Sequence, residues 1–308
     1  MPSPTRRGQG EGLFPVKQGE TSMAHGKIGV IGGSGIYAMA ALEDVREVEV
    51  TTPFGPPSDA YILGTLHGRE MVFLPRHGRG HRLPPSAINF RANIYGLKSL
   101  GVEWVIALSA VGSMREEIHP GHLVVPDQFI DRTYRRVSTF FEDLTVHVAF
   151  ADPVCGVVAR ALHQAAAATG AIVHAGGTYL CIEGPQFSTR AESRLYRQWG
   201  VDVIGMTNLP EARLAREAEL CYATLALATD YDCWHASAAD VDIGAILAVL
   251  QRNVELAQEV IRGTVPQLPE TRACPCSTAL QSAIITDRAL MPAAVKERLG
   301  LLIGHYLT

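Results

Sequence analysis

VDVIGMTNLPEARLAREAELCYATLALATDYDCW, residues 201–234, reads as strand, helix, strand, with a dense polar tip after each strand. Residues 201–205 form a short apolar run. Asn208 stands three residues before Glu211, the spacing of a capping box, and Pro210 falls in the first turn, where its missing N–H costs nothing. These signals start a helix at about Leu209, with Leu214, Ala215 and Ala218 on its apolar face and Asn208 as its cap. Residues 220–229 are then an almost unbroken apolar run, as expected of a strand buried on both faces of a parallel sheet. The unit is βαβ, and it places the chain in the α/β class. Two strands joined by one crossover helix point the same way, so Met206-Thr207 and Asp230-Tyr231-Asp232 are expected at one sheet edge, where ligands of such sheets bind. Two acids directly after so apolar a strand, with Cys233 and Trp234 following, read as the mouth of an enclosed pocket rather than a solvated turn.

Around this unit, 308 residues with 47% hydrophobic content are ample for a full core. No repeat, linker or composition shift follows residue 26, so residues 26–308 are expected to form one domain. Residues 1–25 are rich in Gly, Pro and polar residues, lack the apolar centre of a signal peptide, and read as a disordered leader with Met23 as an alternative start. A net charge of −4 without any Lys/Arg run argues against nucleic acid and membrane surfaces as partners. No apolar stretch approaches the ~18 residues of a membrane helix, and the expected compartment is the cytosol. Six cysteines in such a chain read as buried thiols rather than a disulfide set. Cys155, Cys181 and Cys221 sit in apolar segments. Cys274-Pro275-Cys276 could oxidise or meet a metal, but no other Cys or His cluster stands near it in the sequence, so neither a metal nor another cofactor is expected.

Three strand ends carry turns shaped for an anion. The first strand, residues 27–31, runs into Gly32-Gly33-Ser34-Gly35 and a short helix near residues 36–42; backbone N–H groups and the Ser34 hydroxyl could close on a phosphate. Gly33 to Ala38 also fits a dinucleotide pattern, but the next strand, residues 45–51, ends in a Pro/Gly loop instead of the acid a Rossmann unit needs. A hairpin of residues 61–66 and 70–74 around His67-Gly68 delivers Pro75-Arg76-His77-Gly78-Arg79-Gly80-His81-Arg82. Arg76 and His77, nearest the strand end, are the candidates for an anion, since an arginine fork matches phosphate oxygens bidentately; Arg79, His81 and Arg82 read equally well as a solvated basic loop. A buried strand at residues 104–108 leads into Ser109-Ala110-Val111-Gly112-Ser113, a further small-residue turn. Residues 182–188 form a strand-to-loop passage with Phe187 at its tip, either core or a platform for a flat ligand. After Trp234 the chain reads as helical, with Asp242 capping a helix that ends at Gly263 and further helices near residues 279–285 and 292–303.

Taken together, GGSG, PRHGRGH, SAVGSMREEI, IEGPQFSTRAES, MTNLPEARLAREAELCYA and TDYDCW closely resemble the 5′-methylthioadenosine phosphorylases, within the trimeric purine nucleoside phosphorylase superfamily, from about Lys27 to Pro266. The resemblance implies a single-domain, three-layer α/β/α fold around a central mixed twisted sheet, and phosphorolysis in which inorganic phosphate, a co-substrate, attacks C1′ and releases the base. It implies that Ser34, Arg76, His77, Ser109, Ala110 and Thr207 hold phosphate, that Met206 lies against the ribose and Phe187 against the base, and that Asp230 and Asp232 face the purine edge around N7 and the 6-position as the catalytic pair. Asp230, Ser188 and Val241 replace the Asn, Glu and polar residue of the 6-oxopurine members, which points to a 6-aminopurine with an apolar 5′ tail. The resemblance further implies a homotrimer whose neighbouring subunit reaches the 5′ pocket through His147. The rival readings are a phosphorylase of methylthioinosine or other 6-oxopurine nucleosides, a hydrolytic nucleosidase and, most distantly, a dinucleotide-binding oxidoreductase.

Overall fold

The structure, a computed structural model, describes residues 26–33, 35, 36, 39–235 and 243–307, with the backbone alone for 243–252. The expected leader, Ser34 and Val241 lie outside the described residues. Among the described residues, eleven strands share one mixed sheet: β1 (Lys27–Gly32), β2 (Glu43–Val48), β3 (Tyr61–Leu66), β4 (Arg69–Pro75), β5 (Val102–Ser113), β6 (Leu123–Val125), β7 (Gln128–Arg132), β8 (Val173–Ala175), β9 (Thr178–Ile182), β10 (Val203–Gly205) and β11 (Cys221–Asp230). Helices α1 (Phe90–Ser99), α2 (Gly156–Ala168), α3 (Arg190–Gln198), α4 (Asn208–Glu217), α5 (Ile243–Thr264), α6 (Ala293–Arg298) and α7 (Gly300–Ile303) cover it.

The layers follow from strand alternation. Val105, Ala107 and Val111 of β5 with Tyr222, Ala226 and Ala228 of β11 face one core, closed by Ile94 and Leu97 of α1, Ala212 and Leu214 of α4 and the tail helices α6 and α7. Trp104, Ile106 and Leu108 with Ala223, Leu225 and Leu227 face the other, closed by α2 and α5. Nine consecutive residues of β11, Cys221 to Thr229, are buried, as its unbroken apolar run demands. Truncating Leu225 to Ala would cost about 2–5 kcal/mol.

The twelve-residue β5 is the hub. One edge pairs in parallel with β11 from Trp104 to Gly112. The other edge pairs in parallel with β1 only as far as Ala107, and antiparallel with β10 from Gly112. Residues 108–111 therefore have no ladder partner on that edge among the described residues. The antiparallel β10 corrects the βαβ expectation: β10 and β11 run in opposite directions on opposite edges of β5. Their tips still meet, because β10 enters at the far end of β5 and runs back along it toward Ser109.

Four local expectations also change. Residues 109–113, expected as a small-residue turn, continue β5 to Ser113, because β11 extends the ladder to Gly112 and β10 to Ser113. The described residues within 36–42 form turns, not a helix. The capping box at Asn208 is absent: Leu209 is extended (φ −120°, ψ 135°), and the Asn208 amide donates to the Thr224 hydroxyl inside the core. The helix expected at residues 279–285 is instead a short 3-10 turn, Pro275–Thr278, followed by further turns.

Candidate active site

The unpaired edge of β5 forms the floor of the site. The glycine turn after β1 comes level with it, and a cavity of about 90 Å³ is lined by Gly33 and Gly35 on one side and by Ser109, Ala110 and Leu227 on the other. This is the scale of a small anion, well below the ~300–1,000 Å³ of a typical organic-ligand pocket. Helix α5 backs the turn: Gln258 donates to the Gly35 carbonyl at 2.9 Å, and the buried Asn253 lines the cavity with its Nδ2 unpartnered among the described residues.

Ser109 Oγ lies 3.0 Å from the Tyr179 hydroxyl and 3.4 Å from Thr207 Oγ1, so residues 98 positions apart present adjacent hydroxyls. Both Ser109 and Thr207 are buried. The arrangement depends on Gly205, since a Cβ there would meet Tyr179 Oη at 2.0 Å. Thr207 precedes α4 and caps nothing with its side chain, which leaves its hydroxyl to the site.

Arg76 follows β4 and fills the gap where β5 parts from β1, with Nη1 donating to the Leu108 carbonyl at 2.7 Å. Its fork is closed by Glu211 at 2.7 and 2.8 Å, and Glu211 also accepts from the Tyr222 hydroxyl at 2.9 Å. A free bidentate grip on an anion, expected from the sequence, is therefore not what the structure presents. A guanidinium only 3% exposed needs a counter-charge, and Glu211 supplies it; burial works against the Arg76 charge, and the Glu211 carboxylate outweighs it. His77 donates from Nδ1 to the Leu83 carbonyl at 2.8 Å and stacks on His81. Desolvation, followed by the nearby Arg76 and His81 charges, pushes its pKa down to about 4, so the ring is neutral and Nε2 carries a lone pair. Arg79 instead pairs with Glu47 and Asp59 in the open, and Arg82 bonds the Ser58 carbonyl; this half of the motif is the solvated loop.

At the other end of the floor, β11 bulges at Thr229 and sets Asp230 beside Gly112. Asp230 Oδ2 accepts from Thr229 Oγ1 and Oδ1 from the Asp232 amide, both at 2.7 Å. A Cβ on Gly112 would lie 2.9 Å from Asp230 Oδ1, so only glycine leaves room for the carboxylate. Desolvation raises the Asp230 pKa against these hydrogen bonds; it raises that of Asp232 as well, against bonds that include the Cys233 amide, and there the Asp230 charge adds to it. No ion pair to either acid occurs among the described residues. The mouth is closed by Trp234, whose Nε1 donates to the Ser113 carbonyl at 2.7 Å beneath the Arg197 guanidinium, and by Cys233, whose thiol donates to the Ser188 carbonyl.

The passage after β9 flanks the same end. Ser188 Oγ is buried and unpartnered among the described residues, Met206 packs under Gly184, and Phe187 is 46% exposed. Arg136, which the sequence reading passed over, ties this passage down: it donates to the carbonyls of Met206, Leu209 and Glu183 at 2.6–2.7 Å. No local pattern announces Arg136, Tyr179 or Glu211 in its pairing role, since each acts through a partner distant in sequence, nor Asn253, which only the fold brings to the cavity. His147 lies elsewhere, exposed in a loop whose backbone is held by Ala283 of the tail.

The profile of the phosphorylase superfamily matches residues 27–266. The S-methyl-5′-thioadenosine phosphorylase of Geobacter sulfurreducens is 61% identical over 282 residues, which cover 91% of this chain and 99% of that protein. Its counterpart from Thermosynechococcus vestitus is 56% identical, with 91% and 99% covered. Among solved structures, a methylthioadenosine phosphorylase from an antarctic soil metagenomic library matches with a TM-score of 0.86 and 49% identity over 91% of this chain and 99% of that one. The Schistosoma mansoni methylthioadenosine phosphorylase in complex with adenine matches with a TM-score of 0.80 and 35% identity, covering 84% and 99%. With a family profile spanning most of the chain and relatives this similar along nearly their whole length, the chain belongs to the phosphorylase superfamily.

Proposed function

We infer that the protein phosphorolyses S-methyl-5′-thioadenosine to adenine and 5-methylthioribose 1-phosphate. One observation carries the reading: a small cavity at Ser109 of β5 and the desolvated carboxyl of Asp230, which β11 sets opposite Gly112, stand three residues of β5 apart. Three residues of strand span about 10 Å, the reach of a nucleoside held by phosphate beneath C1′ and by the far edge of its base. The relatives named above agree on the substrate.

Cleavage of the C1′–N9 bond builds positive charge on the ribose and sends an electron pair into the purine. Phosphate seated by the glycine turn, Ser109, Ala110 and Thr207 stabilises the first charge and forms the new bond to C1′. His77, neutral with its Nε2 lone pair free, suits a phosphate that still carries one proton. Asp230, its pKa raised by burial, donates a proton to N7 and relieves the second charge. With the proton-bearing oxygen on N7, the other Asp230 oxygen accepts from a 6-amino group and would face a 6-oxo group with lone pairs, and a buried mismatch of that kind discriminates by up to about 10⁴. The unpartnered Ser188 hydroxyl, Met206 and Phe187 would complete the contacts to base and ribose. A homotrimer in which His147 of one subunit approaches the site of the next is part of the same proposal, and sedimentation of a fully active monomer would contradict it.

The test is release of free adenine from S-methyl-5′-thioadenosine with and without inorganic phosphate. Adenine release that requires phosphate, with 5-methylthioribose 1-phosphate formed in equal amount, supports the reading. Phosphate-independent release would mark a hydrolase, and a preference for inosine a 6-oxopurine enzyme.

A further inference from the structure

Far along the chain from the phosphate turns, four cysteines from three separate segments converge. Cys155 caps the start of α2, Cys221 opens β11, and Cys274 and Cys276 flank Pro275 where the C-terminal segment turns back onto the core. All four sulfurs lie within 4.8 Å of one another, with Cys221 Sγ 3.2 Å and Cys155 Sγ 3.8 Å from Cys274 Sγ. Three of the four residues are buried and all are free thiols. The expectation of no metal, which rests on the Cys-Pro-Cys pair having no partner near it in the sequence, does not survive the fold, which brings two partners from 119 and 53 residues upstream of Cys274.

We propose that Cys155, Cys221, Cys274 and Cys276 form a structural zinc site. Four thiolates at the Zn–S distance of about 2.3 Å in a tetrahedron sit roughly 3.8 Å apart, the scale of this cluster. Zinc is favoured over harder cations because the donor set is entirely sulfur. Lys98 lies within electrostatic reach of the Cys221 sulfur.

The site would pin the tail at the point where it leaves the core. Downstream, Leu280 N donates to Glu219, Ile284 bridges to Val146, and Ala283 holds the His147 backbone. The metal takes no part in the reaction; it binds to the folded chain and adds its binding free energy to stability.

Zinc measured by elemental analysis on untagged protein, purified with reductant present throughout, tests this directly. One zinc per chain is expected, with four thiols that react with a thiol reagent only after a chelator strips the metal, and with the visible bands of a tetrahedral tetrathiolate when cobalt replaces zinc. Cys276→Ser should lose stoichiometric zinc and melt at a lower temperature, whereas Cys233→Ala, outside the cluster, should keep the full complement. If Cys276→Ser fails to fold, the zinc content and cobalt spectrum of the unaltered protein decide alone. Protein without zinc above background overturns the proposal, whether its four thiols are free or peptide mapping finds them joined in disulfides.

Discussion

The two ends of the floor that β5 gives the site, at Leu108 and at Gly112, handle buried charge in opposite ways. At the anion end, Arg76 is locked to Glu211 at 2.7 and 2.8 Å, and its charge is balanced before any ligand arrives. At the base end, Asp230 and Asp232 are desolvated with no cation beside them among the described residues, Asp230 held by Thr229 and the Asp232 amide and Asp232 by Cys233. A group meant to stay charged in a buried place is paired; a group meant to exchange a proton is left with its pKa raised and its partner missing. The first end is built for shape and the second for chemistry.

Substitutions at the two ends should therefore fail differently. Asp230→Asn keeps the hydrogen-bonded shape and removes the exchangeable proton, so turnover of S-methyl-5′-thioadenosine should fall by about 10²–10⁴ with little change in melting temperature. Steady-state kinetics beside a thermal melt separate the two effects. Glu211→Gln should do the reverse, leaving Arg76 buried and unbalanced at a cost of about 3–5 kcal/mol in denaturant unfolding. A Glu211→Gln protein as stable as the parent would end the contrast. His77 titrates near 6.5 when unfolded and near 4 when folded. Its neutral form stabilises the fold fully above pH 6.5, and that contribution, up to about 3 kcal/mol, is lost as the pH falls from 6.5 toward 4. In His77→Gln this part of the pH dependence of unfolding should vanish. The smallest effect is expected from Ser109→Ala, one hydroxyl among several donors: about a tenfold rise in the KM for phosphate, with the KM for the nucleoside barely moved.

What the sequence revealed and what it hid divide along the same lines. The glycine turn at Gly33 and the acids at the end of β11 were legible because each is a local pattern at a strand end, whereas the small residues 109–113, which read as a turn, continue β5 to Ser113. The direction of β10 was not: alternation marks a strand and its faces, but direction is set by pairing, and a partner as long as β5 could accept it at the far end. Glu211 met the spacing of a capping box, yet a buried guanidinium 135 residues away competes for the same carboxylate and wins. Thr189 and Glu192 form the capping box that is present, at the start of α3, a helix the sequence reading did not mark although its signal was there. The four cysteines were invisible as a group because only the folded sheet brings α2, β11 and the tail to one point.

The central claim is that Asp230 supplies the proton that the leaving purine needs. A second substrate, 5-methylthioribose linked at C1 to 4-nitrophenol, needs no such proton because its leaving group departs as a stable anion. Measured with phosphate on the parent and on Asp230→Asn, phosphorolysis of the nucleoside should fall by about 10²–10⁴ while that of the nitrophenyl substrate stays within a few-fold. Equal loss on both substrates would contradict the account and leave Asp230 a binding or structural residue.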